Sequence, residues 1–192
     1  MQKTVAVGGG VVLGAGTYLT QLTPFGWTTN SIATWSALAF LVGCAGGRPS
    51  WRVVAAAVGS LLLALVVWYG VAQAVNGLYS AGALVTAGVW AVGAVLAGIV
   101  FGLGAAWWRH RPDSVPGAVG LALLVALFAV DGLYRLVVLG SPGAGVTMLV
   151  VAAVLLALLS RRSWRPAAAT LSLVAIGAGG YALLGAALGG VS

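Results

Sequence analysis

Long apolar runs broken by short polar punctuation are the dominant pattern along this chain. Crossing the hydrocarbon core of a bilayer takes roughly 20 mostly apolar residues in a helix. Seven such runs appear, at about 4–22, 31–47, 51–75, 79–108, 116–140, 143–160 and 165–190. The separators carry turn chemistry: "TPFGWTTN", "GGRPS", "VNG", "RHRPDSVP", "SPG" and "RRSWRP". The fourth run exceeds what a bilayer requires, so it tilts or projects into water. The second and sixth are near the short limit. The pattern predicts an all-α, polytopic membrane helix bundle with seven transmembrane helices, forming a single domain over residues 1–192. The first run follows one lysine and shows no small-residue cleavage motif, so it reads as a spanning helix and not as a signal peptide.

Composition agrees with that reading. The 192 residues are 61% hydrophobic and only 6% charged, with a net charge of +7, whereas soluble domains carry about 25% charged residues. In a soluble protein such basicity would suggest nucleic acid. Here Lys3, Arg48, Arg52, Arg109, Arg111, Arg161, Arg162 and Arg165 flank the start of the first run and the second, fourth and sixth turns. The first, third and fifth turns and the C-terminus have no Lys or Arg. That alternation follows the positive-inside rule and predicts a cytoplasmic N-terminus and an outside C-terminus. The expected partner is the lipid bilayer, with no role for nucleic acid.

Glycine is abundant, and Gly10-x-x-x-Gly14, Gly98-x-x-x-Gly102 and Gly185-x-x-x-Gly189 are spaced to let helices approach closely. Such faces serve either a homodimer or packing inside the bundle, and the latter is the plainer reading. Much chemistry is excluded. The only lysine, Lys3, precedes the first run, which rules out a retinal Schiff base in a late helix. One histidine, His110, and one cysteine, Cys44, offer no metal or haem ligand set. His110 reads as a solvated turn residue and Asp113 as a helix-start residue. Neither a metal nor a cofactor is expected, and two isolated aspartates cannot hold magnesium diphosphate.

On the expected topology the remaining polar and aromatic residues collect in the outer half. Tyr18, Gln21, Asn30, Trp68, Tyr69, Gln73, Asn76, Trp90 and Tyr181 belong there. So do Asp131, Tyr134 and Arg135, in the run "LFAVDGLYRLVVL", with Phe128 nearby. An interfacial aromatic belt accounts for part of this set. Counted from Pro116 at ~1.5 Å per residue, Asp131 lies roughly 22 Å along a ~30 Å core, and Arg135 is near enough to the surface to snorkel out. Ionisable residues inside a span are costly and are functional candidates by default. If Arg135 turns away, burial leaves Asp131 a neutral acid able to donate a proton. If the two pair at i and i+4, they form a structural brace.

A buried acid beside aromatics suits chemistry that starts with protonation and passes through carbocations. In helix number, length and this intramembrane acid the chain resembles small membrane-embedded terpene cyclases. That resemblance implies metal-independent, proton-initiated cyclisation of a hydrophobic isoprenoid-like substrate. Asp131 would be the general acid, and Trp68, Tyr69, Trp90 and Tyr134 would be cavity aromatics. Gln73, Phe128, Arg135, Asn30 and Tyr181 complete the expected substrate-binding set. The chain is similar in length and hydrophobicity to substrate-binding subunits of energy-coupling-factor transporters, which implies instead an outward-facing ligand site with Arg135 and Asn30 as contacts. Its segments "NSIATWSALAFLVG" and "DGLYRLVV" also resemble an uncharacterised family of small bacterial integral membrane proteins, which implies a bacterial cytoplasmic membrane and no particular activity.

Overall fold

The computed structural model describes residues 1–28, 31–77, 81–159, 165 and 168–175. Among them every regular element is helical: α1 (Gln2–Thr20), a 3-10 turn (Gly26–Thr28), α2 (Ile32–Gly46), α3 (Trp51–Asn76), α4 (Ala81–His110), α5 (Val115–Val137) and α6 (Pro142–Leu159). Residues 168–175 are also helical and fall inside the seventh expected run, whose remainder lies outside the described residues. Three described helices, α3, α4 and α5, are long and apolar enough to cross a membrane, while α2 and α6 are apolar but shorter. At 26 residues, α3 is about 39 Å long.

Local chemistry sets the boundaries within two or three residues of the pattern. The Ser31 hydroxyl accepts from the Thr34 N–H at 3.2 Å and starts α2 as an N-cap. Ser114 does the same for α5, accepting from the Gly117 N–H at 3.2 Å. α3 ends where Gly77 turns left-handed at φ 65° and its N–H reaches the Gln73 carbonyl at 2.9 Å. α5 stops at Val137, three residues before the apolar run does. Gly140 adopts φ 57°, and the Ser141 N–H closes back on the Arg135 carbonyl at 2.9 Å. Pro142 then opens α6, where its missing N–H costs nothing.

The chain divides into two compact units, Met1–Gly120 and Leu121–Ser192. In the first, α1 lies on α3, α3 on α4 and α4 on α2, with α2 also touching α1 and α3. Its core is built largely from small residues, with Ala6, Ala39, Ala57 and Ala94 around Leu38, Val42 and Leu61. The glycine pairs explain how the backbones come so close. A Cβ on Gly14 would strike the Ala64 carbonyl of α3, and one on Gly10 would come within 2.7 Å of the Ser60 carbonyl. A Cβ on Gly98 would lie 2.7 Å from Val58 Cα, and one on Gly102 would lie 2.7 Å from Ala57 Cβ. The Gly10/Gly14 and Gly98/Gly102 faces are therefore filled inside this unit; Gly185 and Gly189 lie outside the described residues. On the opposite side of α4, Val85, Val89, Val92 and Leu96 form an exposed stripe at i, i+4, i+7 and i+11. A continuous apolar stripe of this kind suits lipid and not water.

In the second unit, α5 and α6 form a hairpin that crosses at glycine. A Cβ on Gly132 would lie 3.0 Å from the Gly145 carbonyl, and one on Gly145 would lie 2.8 Å from the Gly132 carbonyl. Leu136 and Leu149 pack on either side of this crossing.

Candidate functional site

Leu65, Tyr69 and Gln73 follow one another at i, i+4 and i+8 along α3, so they share a face. Together with Val66 and Gly70 they meet Ala83, Leu84 and Ala87 of α4 around a cleft of about 310 Å³. That volume lies at the lower end of the range for small-molecule sites. Small residues create the space, since Gly70, Ala83 and Ala87 leave room that larger side chains would fill. The lining is apolar except for Tyr69 and Gln73, which lie toward the Asn76 end of α3.

Behind the cleft runs a chain of aromatic contacts. The Trp68 and Tyr69 rings meet edge to face at 4.8 Å and 73°. Trp68 in turn meets Tyr18 of α1 at 6.0 Å and 73°. Asn76 donates from Nδ2 to the Tyr18 hydroxyl at 2.9 Å, tying the ends of α1 and α3 together. Two polar atoms here are buried with no hydrogen-bond partner among the described residues: the Gln73 side-chain oxygen and the Trp68 indole nitrogen. A buried polar atom left unmatched costs ~1–3 kcal/mol.

The second group lies on α5. Arg135 Nε donates to Asp131 Oδ1 at 3.0 Å, with the side chains 6% and 15% exposed. Of the two arrangements open to this segment, pairing or an arginine turned away, the structure has the pair. α5 ends two residues later at Val137, and the Arg135 carbonyl accepts from the Ser141 N–H. The arginine faces back along its own helix toward Asp131 and is buried. It is accordingly engaged in an ion pair. A carboxylate held by a guanidinium is an acceptor, and the arrangement resembles a brace more than a proton donor. Phe128 is buried one turn earlier on the same face, whereas Tyr134 is 39% exposed on another.

Of the other expected site residues, Trp68, Tyr69 and Gln73 come together at the end of α3. Trp90 stands three residues beyond Ala87, is 36% exposed and is not part of the cleft lining. Asn30 and Tyr181 lie outside the described residues. Among the described residues no three His, Cys, Asp or Glu side chains gather as metal ligands.

The match to known families spans almost the whole chain, residues 2–190. The chain belongs to a family of unknown function, DUF6518. No curated protein and no solved structure matches it. Tyr18 and Asn76, beside the cleft, were legible only as outer-half polar residues, because their pairing joins positions 58 apart. The small residues Gly70, Ala83 and Ala87 carried no chemical signal at all. The i, i+4, i+8 spacing of Leu65, Tyr69 and Gln73 was the one clue to a shared face.

Proposed function

We propose that this chain is an integral membrane protein of seven spans, with the N-terminus in the cytoplasm and the C-terminus outside. In this reading it binds a lipid-like molecule bearing a single polar head, such as an isoprenoid alcohol, in the α3–α4 cleft. The observation that carries the reading is the Gln73 amide oxygen, which has no hydrogen-bond partner among the described residues, at the polar end of an otherwise apolar cleft. A hydroxyl both donates and accepts, so it satisfies this amide in either orientation. From Gln73 to Leu65 is about 12 Å along the helix, so a tail beside Leu65, Val66 and Leu84 would lie in the hydrocarbon core while the head met Tyr69 and Gln73 near its edge. On the alternating charges this end of α3 faces outward.

Proton-initiated cyclisation with Asp131 as general acid ranks behind binding, because the acid would first have to lose Arg135. One experiment addresses both readings. Purified protein is incubated with a fifteen-carbon prenyl alcohol and with the matching hydrocarbon, and bound ligand and products are analysed. The expected outcome is that the alcohol binds and is recovered unchanged. Gln73→Leu should weaken alcohol binding about tenfold, on the order of one hydrogen bond in an apolar site, and leave hydrocarbon binding unaffected. Unaltered alcohol binding by Gln73→Leu would refute the cleft assignment. A cyclised product that disappears in Asp131→Asn would restore the enzyme reading.

A further inference from the structure

The end of the first unit opposite the cleft carries its charge. The Gln2 side chain at the start of α1 lies against Gly46 at the end of α2, and Val53 of α3 is packed on the same glycine. Toward this end a Cβ on Gly43 of α2 would lie 2.7 Å from Ala105 Cβ of α4, and the Phe40 and Trp108 rings are 5.9 Å apart. Four helices that alternate in direction therefore gather Lys3, Arg48, Arg52, Arg109 and Arg111 at one end, all exposed. Asp113 is the single acid in this part of the chain. Cations of one sign at the tip of an apolar bundle must find counter-charge just beyond the hydrocarbon edge.

One detail specifies the partner further. Trp51 is 75% exposed and the Arg52 guanidinium carbon stands 5.7 Å from the centre of its ring. A tryptophan stacked with an arginine matches the head-group layer, where an apolar ring and a cation are accommodated side by side.

We propose that this basic end is a binding surface for anionic phospholipid, with phosphate oxygens meeting Arg48 and Arg52 and Trp51 set among the glycerol backbones. A nucleic acid would satisfy the arginines, but it would leave the exposed tryptophan and the adjoining apolar helix walls in water, so lipid is the better match.

The test uses the purified full chain in an uncharged detergent. Native mass spectrometry measures binding of phosphatidylglycerol and of phosphatidylcholine with identical acyl chains, and a short DNA duplex serves as a competitor. Phosphatidylglycerol should bind at least tenfold tighter than phosphatidylcholine, and the duplex should not displace it. Arg48→Gln and Arg52→Gln should each weaken the phosphatidylglycerol complex about fivefold. Should these variants fail to insert correctly, the wild-type protein still provides a test. Raising salt to about 1 M, where screening acts over ~3 Å, should weaken the preference for phosphatidylglycerol. Equal binding of the two lipids, a preference indifferent to salt, full binding by a correctly folded Arg48→Gln/Arg52→Gln protein, or displacement by DNA would each overturn the proposal.

Discussion

Asp131 and Arg135 show what a buried ion pair does at the level of single residues. Each charge is offset by the other, at 3.0 Å and one helical turn away. Removing one partner of a buried pair typically costs ~3–5 kcal/mol, whereas replacing both by apolar residues is often neutral or stabilising. Asp131→Leu or Arg135→Leu alone should therefore lower the melting temperature of the detergent-solubilised protein sharply. The Asp131→Leu/Arg135→Leu double variant should recover most of the loss. Additive losses in the double variant would mean that each side chain has a separate role, and would reopen the case for Asp131 as an independent acid. The sequence placed both residues in one segment and posed the choice between brace and acid. It could not decide, because the direction an arginine side chain takes depends on what packs around it, which no linear pattern records; here it turns back onto Asp131 and is buried.

At the level of helices, close approach through glycine is the device that recurs. Gly14 and Gly16 lie two residues apart on α1 and offer an internal comparison. A Cβ on Gly14 strikes the Ala64 carbonyl and comes within 2.9 Å of Val67 Cβ, while one on Gly16 meets nothing within 4 Å. Gly14→Ala should destabilise by ~1–3 kcal/mol, as overpacking against backbone does. Gly16→Ala should be neutral or stabilising by up to ~1 kcal/mol, through helix propensity. Thermal unfolding of the two variants checks this, and equal effects would show that α1 does not cross α3 at Gly14. Gly132→Ala should behave like Gly14→Ala, since the Gly145 carbonyl stands 3.0 Å from the added methyl. The helices themselves were legible, because twenty-residue apolar runs and their turn residues are linear features of the sequence. So was the Gly-x-x-x-Gly spacing, but not its partner. Gly132 and Gly145 sit on different helices, and no motif within either one links them. The cleft was hidden for the same reason: it depends on which faces of α3 and α4 meet, and five of its eight lining residues are glycine, alanine or leucine. Tyr69 and Gln73 stood out as polar residues near a helix end, which is why they were anticipated and Ala83 and Ala87 were not.

For the molecule as a whole, both binding proposals depend on which end of the helices faces the cytoplasm. The cleft lies toward the Asn76 end of α3 and the basic surface at its Trp51 end, so one orientation places them on opposite leaflets. The charge pattern favours the basic end inside, because translocating lysine and arginine is disfavoured and the turns around residues 24 and 77 carry neither. Cys44 is the only cysteine, so a Cys44→Ala background leaves single introduced thiols readable. Thr23→Cys and Gly77→Cys should react with a membrane-impermeant thiol reagent added to intact cells. Ser50→Cys and His110→Cys should react only after the membrane is opened. Gly77 has a left-handed backbone at φ 65°, so Thr23→Cys is the less perturbing reporter of the pair. Labelling of Ser50→Cys in intact cells would invert the assignment and put the basic surface outside, where anionic phospholipid is scarcer and where the arginines would need another partner. Labelling of Thr23→Cys and Ser50→Cys from the same side would instead mean that α2 does not cross. At 15 residues α2 is about 22 Å long, short of the ~30 Å core, so this helix is the one on which the count of seven spans most depends.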